Sequence, residues 1–99
     1  MAGFVQIVEA KTSRMDEVRA LGEEMQAAPN EGSTVRRATI TTDRDRPGYF
    51  LSIIEFDSYE SAMQNSDHPE TQKFAARLAE LCDGPPTFYN LDVTETWTL

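Results

Sequence analysis

Chemistry-bearing residues are scarce in this sequence. Its 99 residues contain 1 cysteine, 1 histidine and 1 tryptophan, and 9 basic residues stand against 17 acidic ones. A lone Cys82 excludes an intrachain disulfide, and with a lone His68 it falls short of the ligand set of a structural zinc site, so no bound metal is expected. The net charge of −8 repels phosphate backbones and anionic headgroups, which removes nucleic acid and membrane as expected partners. No window approaches the roughly 18 apolar residues of a membrane span. The opening M-A-G-F-V-Q-I-V-E has neither the basic start nor the apolar run of a signal peptide, so a reducing cytoplasm is the expected location. Glycine-rich phosphate loop, nucleotide fingerprint, Ser-His-Asp spacing, internal repeat and interdomain linker are all absent. One domain over residues 1–99 with a single core is the expectation.

What is present is a clear order of elements. Phe4 to Glu9 reads as a strand that is mostly apolar on both sides, Phe4, Gln6 and Val8 alternating with Val5, Ile7 and Glu9. Thr12 or Ser13 can cap a following helix, with Asp16 in capping-box position and Met15, Val18, Leu21 and Met25 at helical spacing. That helix should stop before Pro29, and Pro29 to Gly32 is turn chemistry. Thr34 to Thr42 is rich in β-branched residues and predicts a strand. The charged stretch Asp43 to Gly48 suits a long, mobile hairpin connection to the least ambiguous strand, Tyr49 to Phe56. Asp57 or Ser58 caps a short helix that Asn65, Ser66 and Asp67 interrupt, and Pro69 starts a second one with Phe74, Ala75, Leu78, Leu81 and Cys82 on one face. Asp83 to Pro86 ends it, and Phe88 to Trp97 alternates as a last, long strand able to reach a partner subunit.

The order βαββααβ predicts a ferredoxin-like α+β fold, an antiparallel sheet with all helices on one face. Its other face would then carry large apolar residues, a patch that soluble monomers avoid. Two such faces joined by a twofold axis close into a dimeric α+β barrel, so a homodimer is expected. Three stretches now become informative: F-V-Q-I-V-E-A-K at the start, I-I-E-F-D-S-Y-E-S-A-M at 53–63 and S-D-H-P-E-T-Q-K-F at 66–74. Together they resemble the dimeric α+β barrel proteins of the antibiotic-biosynthesis-monooxygenase-like family. The resemblance implies a pocket between helices and sheet and, in some members, oxidation of quinol-like or polyketide aromatics without a cofactor. Haem breakdown is another family activity, but Phe56 stands where many members have tryptophan, and Gln6 replaces the asparagine of the haem-degrading members.

Candidate site residues follow from both readings. His68 is the one side chain that ordinarily titrates near neutrality, and it also fits as a plain cap at a helix start. Gln6, Ser52, Asn90 and Asp92 interrupt apolar strands, where a buried polar group needs a partner or a ligand. They either bond one another, face solvent or face a ligand, and strand phase is not readable from the sequence. The four arginines Arg36, Arg37, Arg44 and Arg46 form either a solvated hairpin edge or an anion-steering rim. Cys82 reads as a small buried hydrophobe. In the mechanism that the resemblance implies, His68 takes a phenolic proton while Gln6, Ser52 or Arg37 hold the oxyanion, with Phe56 and Asn90 completing the pocket and no cofactor involved. The alternative is a non-catalytic ligand-binding or interaction module.

Overall fold

A computed structural model describes residues 3–27 and 34–99. The elements are β1 (Gly3–Lys11), α1 (Met15–Ala27), β2 (Arg37–Thr42), β3 (Tyr49–Phe56), α2 (Tyr59–Asp67), α3 (Pro69–Leu81) and β4 (Thr87–Val93). The sheet runs β2-β3-β1-β4 with every neighbour antiparallel, the α+β ferredoxin-like arrangement that the element order predicts.

Residues paired across an antiparallel ladder share a face, so the register assigns every side chain a side. Phe4, Gln6, Val8 and Ala10 of β1 pair with Phe56, Ile54, Ser52 and Phe50 of β3, on the side covered by helices. Two core clusters sit there. Ala10 and Phe50 pack against Val18 and Leu21 of α1 and Leu78 of α3, bordered by Met15, Phe74, Leu81 and Cys82. At the other end of the sheet Phe4 and Phe56 pack on Ala62 of α2, bordered by Val35, Ile54 and Met63. Phe50, only 1% exposed, gains about 1.5–3 kcal/mol from leaving water. Of the apolar stripe predicted for α3, Ala75 is exposed.

Several boundaries differ from expectation for local reasons. α1 starts at Met15, and Arg14, not Ser13, supplies the carbonyl that accepts from Val18 N–H at 3.1 Å. Thr12 instead turns inward, and Ser13 donates to Asp83. Thr12 Oγ1 donates to the Leu81 carbonyl at 2.6 Å and accepts from Arg14 N–H at 2.9 Å, while its N–H reaches the Gly48 carbonyl at 2.8 Å. Gly48 has φ +88°, a left-handed turn that the Pro47-Gly48 pair suits. β2 begins at Arg37 rather than Thr34; ahead of it the Thr34 hydroxyl donates to the Ser61 carbonyl of α2, and Arg36 N–H donates to the Glu55 carbonyl of β3 at 2.8 Å. β4 ends at Val93 rather than Trp97, with Val93 facing Gly3, the first residue of β1. Residues 94–99 leave the sheet, with Trp97 75% exposed. The hairpin expected to be mobile is tied down: Arg46 lies 4.4 Å over the Tyr49 ring and pairs with both Glu9 and Asp43 at 2.7 Å. The expected turn Pro29 to Gly32 lies outside the described residues.

Candidate ligand-binding trough on the helix-covered face

Gln6 sits on β1 opposite Ile54 on one side and Asn90 on the other, and Ser52 lies opposite Val8. Gln6, Ser52, Asn90 and Phe56 therefore share the helix-covered face. Gln6 Nε2 donates one hydrogen to Asn90 Oδ1 at 3.1 Å, which orients both amides and leaves Gln6 Oε1, the second Gln6 amide hydrogen and the Asn90 amide hydrogens for another partner. Gln6, Ser52 and Ile54 are only half-buried although they lie on the two central strands, beneath the helical layer. The large side chains of the helices gather into clusters toward the two ends of the sheet, and between them Val8 is buried while its neighbours Gln6 and Ser52 stay half-buried. Along β4 this region opens outward, where Asn90 is exposed and Phe88, opposite Val8 on the same face, is 55% exposed. These positions make up the candidate trough, a half-buried to exposed strip in which the apolar Ile54 and Phe88 flank the two carboxamides and the Ser52 hydroxyl.

Not every candidate gathers there. Arg37 faces Glu55 in the register, on the helix-free side, and its Nε donates to Glu55 Oε2 at 2.7 Å. It is one step out of phase with Gln6 and Ser52, so it cannot help them to hold one ligand oxygen. Phe56 belongs to the core cluster with Phe4 and Ala62, its ring 6.4 Å from that of Phe4, and is buried rather than open to a ligand. Asp92 faces the same side as Asn90 and is exposed. Ile54 and Phe88 were not singled out as wall residues by the sequence; Phe88, a large aromatic on the otherwise polar side of β4, was the available signal.

His68 joins α2 to α3 and acts at both ends. Its N–H donates to the Asn65 carbonyl at 3.1 Å, and its Nδ1 accepts from Glu70 N–H at 3.2 Å as the cap of α3. An Nδ1 that accepts places the proton of the neutral ring on Nε2, so the imidazole as held presents a donor and not a base. It has no hydrogen bond to Gln6, Ser52 or Asn90.

The arginine cluster is largely neutralised. Arg36 pairs with Asp57, Arg37 with Glu55, and Arg46 with Glu9 and Asp43, leaving Arg44 without an ion pair among the described residues. Each paired carboxyl is held below the ordinary range by its arginine's hydrogen bond. This is the solvated edge rather than the anion rim. Burial, helped by the neighbouring Asp83, pushes the Cys82 thiol up, as suits a packed residue and not a nucleophile. Among the described residues no three His, Cys, Asp or Glu side chains converge as metal ligands, and no helix is long and apolar enough to cross a membrane.

No protein-family model and no curated protein matches this sequence. Solved structures do match. A proposed antibiotic biosynthesis monooxygenase from Deinococcus radiodurans superposes with a TM-score of 0.78 at 14% identity, covering 97% of both chains. Rv0793 from Mycobacterium tuberculosis gives 0.78 at 15% identity over 97% of this chain and 99% of that one. SnoaB, a cofactor-independent oxygenase from Streptomyces nogalater, gives 0.71 at 15% identity over 99% and 96%. The chain has the fold of the antibiotic biosynthesis monooxygenase-like proteins, the group that its short motifs resemble. At these identities the likeness establishes fold.

Proposed function

We propose that the protein is a homodimeric α+β barrel that binds a small, largely apolar or aromatic molecule between helices and sheet, and that it oxidises a phenol- or quinol-like ligand with dioxygen and without a cofactor. The observation that carries the binding reading is the incompletely covered polar strip of the helix-covered face, where Gln6, Ser52 and Asn90 share one side. Ile54 and Phe88 suit an aromatic ring, and the free amide hydrogens suit its oxygens. The dimer reading rests on the helix-free face, where Val5, Ile7, Leu51, Ile53, Tyr89 and Leu91 form a contiguous apolar surface with Tyr89 42% and Leu91 44% exposed. The oxygenase reading draws on the shared fold with SnoaB, described as a cofactor-independent oxygenase. In it, a deprotonated phenol is electron-rich enough to reduce dioxygen, and this chain's part is to take the proton and hold the oxyanion on Gln6 and Ser52. His68 can take that proton at Nδ1 only by giving up its bond to Glu70 N–H.

That occupied nitrogen favours a second reading, a non-catalytic ligand-binding module in which His68 is only a helix cap. Oxygen uptake with a panel of quinols and anthrone-like phenols separates the two. His68→Asn keeps a good capping side chain and removes the imidazole, so under the catalytic reading it should slow uptake by about a hundredfold or more while leaving the fold intact. Equal rates in both proteins would remove His68 from the chemistry. No turnover, together with ligand-induced amide shifts at Gln6, Ser52 and Asn90, would establish the binding module.

A further inference from the structure

We propose that a second cleft, at the opposite end of the sheet from Phe4 and Phe56, binds a free α-amino acid or a similarly compact zwitterion. The cleft has a volume of about 390 Å³ and lies between the ends of β1 and β3, the β2–β3 hairpin and the α3–β4 connection. That size falls in the range of small-molecule sites, roughly 300–1,000 Å³. Its walls carry two cations, Lys11 and Arg46, and two anions, Glu9 and Asp83.

These four charges are not equally engaged. Arg46 and Glu9 satisfy each other at 2.7 Å, with Asp43 on the arginine and the Tyr89 hydroxyl, 3.2 Å away, on Glu9. Lys11 has no carboxylate within ion-pair distance among the described residues, its contact being the face of Tyr49 at 5.9 Å. Asp83 has no cation either, and its carboxylate accepts only from the Ser13 hydroxyl at 3.2 Å. Yet the two residues are tied backbone to backbone, Asp83 N–H donating to the Lys11 carbonyl at 2.8 Å. Opposite charges are thus set side by side along one cleft and left unjoined.

A ligand bearing one charge of each sign meets both. Its carboxylate pairs with the Lys11 ammonium and its ammonium with Asp83, and each charged contact is stronger than its neutral counterpart. A simple anion would meet Lys11 but be repelled by Asp83, Glu9 and the net charge of −8, and a simple cation would meet Asp83 but be repelled by Lys11 and Arg46. Only the zwitterion avoids both penalties. The site is distinct from the helix-side trough, because Glu9, Lys11 and Tyr49 alternate with Val8, Ala10 and Phe50 and leave the sheet on the helix-free side. Lys11–Tyr49 is also the last rung of that ladder, four residues from the central Ile7–Ile53 pair, so the cleft lies at the rim of the helix-free face, beyond the apolar residues that the proposed dimer covers.

The test is an amide-resolved NMR titration of the full chain with glycine, alanine, serine, leucine and glutamate, with acetate and ethylammonium as single-charge controls. At least one amino acid should give saturable shifts confined to residues 9–12, 46–49 and 83–87, leaving Gln6, Ser52 and Asn90 unmoved. Lys11→Met and Asp83→Asn, both at exposed positions, should each weaken binding about tenfold or more, equivalent to about 1.4 kcal/mol. Acetate binding as tightly as the amino acids would reduce the cleft to an anion site and overturn the proposal. So would the absence of shifts with every amino acid at about 10 mM, ten times a millimolar dissociation constant. Neither result bears on the helix-side trough, whose ligands are read by different amides.

Discussion

Thr12 offers the sharpest test of how this fold is held together. It is the one buried polar residue among those described, at 4% exposure, and its hydroxyl joins three parts of the chain. It donates to the last carbonyl of α3 at Leu81 and accepts the Arg14 N–H that leads into α1, just where β1 ends. Thr12→Val keeps shape and volume but leaves both groups unpaired. Each partly buried group so orphaned costs about 1–3 kcal/mol, and partial access to water should hold the sum near about 2–3 kcal/mol. For a domain of this length that corresponds to a fall in Tm of roughly 10–20 °C. Thr12→Ser supplies the control: it keeps the hydroxyl and removes a methyl, a loss of about 0.8 kcal/mol of burial. Thermal denaturation followed by far-UV circular dichroism should rank wild type, then Ser, then Val. A Val variant at least as stable as Ser would refute the reasoning, because apolar packing and not hydrogen bonding would then be what Thr12 supplies.

Three further outcomes follow from the same structure. Glu9, Asp43, Glu24, Glu55 and Asp57 are all held below the ordinary carboxylate range by arginines, so each contributes stability above its unfolded pKa that is lost as pH falls through the lower folded value. Denaturant midpoints should therefore fall on acidification below about pH 4, and Arg46→Ala, which releases Glu9 and Asp43 together, should flatten that limb; parallel curves would contradict the pairing. Light scattering should return about twice the 11.1 kDa chain mass for the wild type and a single-chain mass for Ile53→Lys, which sets an unpaired charge in the apolar face; a wild-type monomer would dispose of the barrel. Ser58 Oγ accepts from Ser61 N–H at 3.1 Å as the cap of α2, so Ser58→Ala should cost about 1 kcal/mol, and an unchanged Tm would show that the cap is dispensable.

Local chemistry determined the elements. The apolar runs at Phe4 and Tyr49, the Ser58 cap, the Pro69 start and the Pro47-Gly48 turn each act over a few residues, and their order suffices to specify a ferredoxin-like sheet. The lone His68 was equally legible as a helix cap, since capping depends only on residues that follow it immediately in the chain. Tertiary structure alone decided which candidates meet. Gln6, Ser52 and Arg37 are equivalent in sequence as candidate oxyanion holders, but a strand's two faces differ by one residue of phase, and phase is set by pairing with other strands of the sheet. That pairing put Gln6 beside Asn90, sent Arg37 to the opposite side with Glu55, and turned Thr12 from an expected helix cap into the bolt between α1 and α3. The Lys11–Asp83 cleft belongs to the same category, because its opposed charges are brought together only when the end of α3 is hydrogen-bonded to the end of β1.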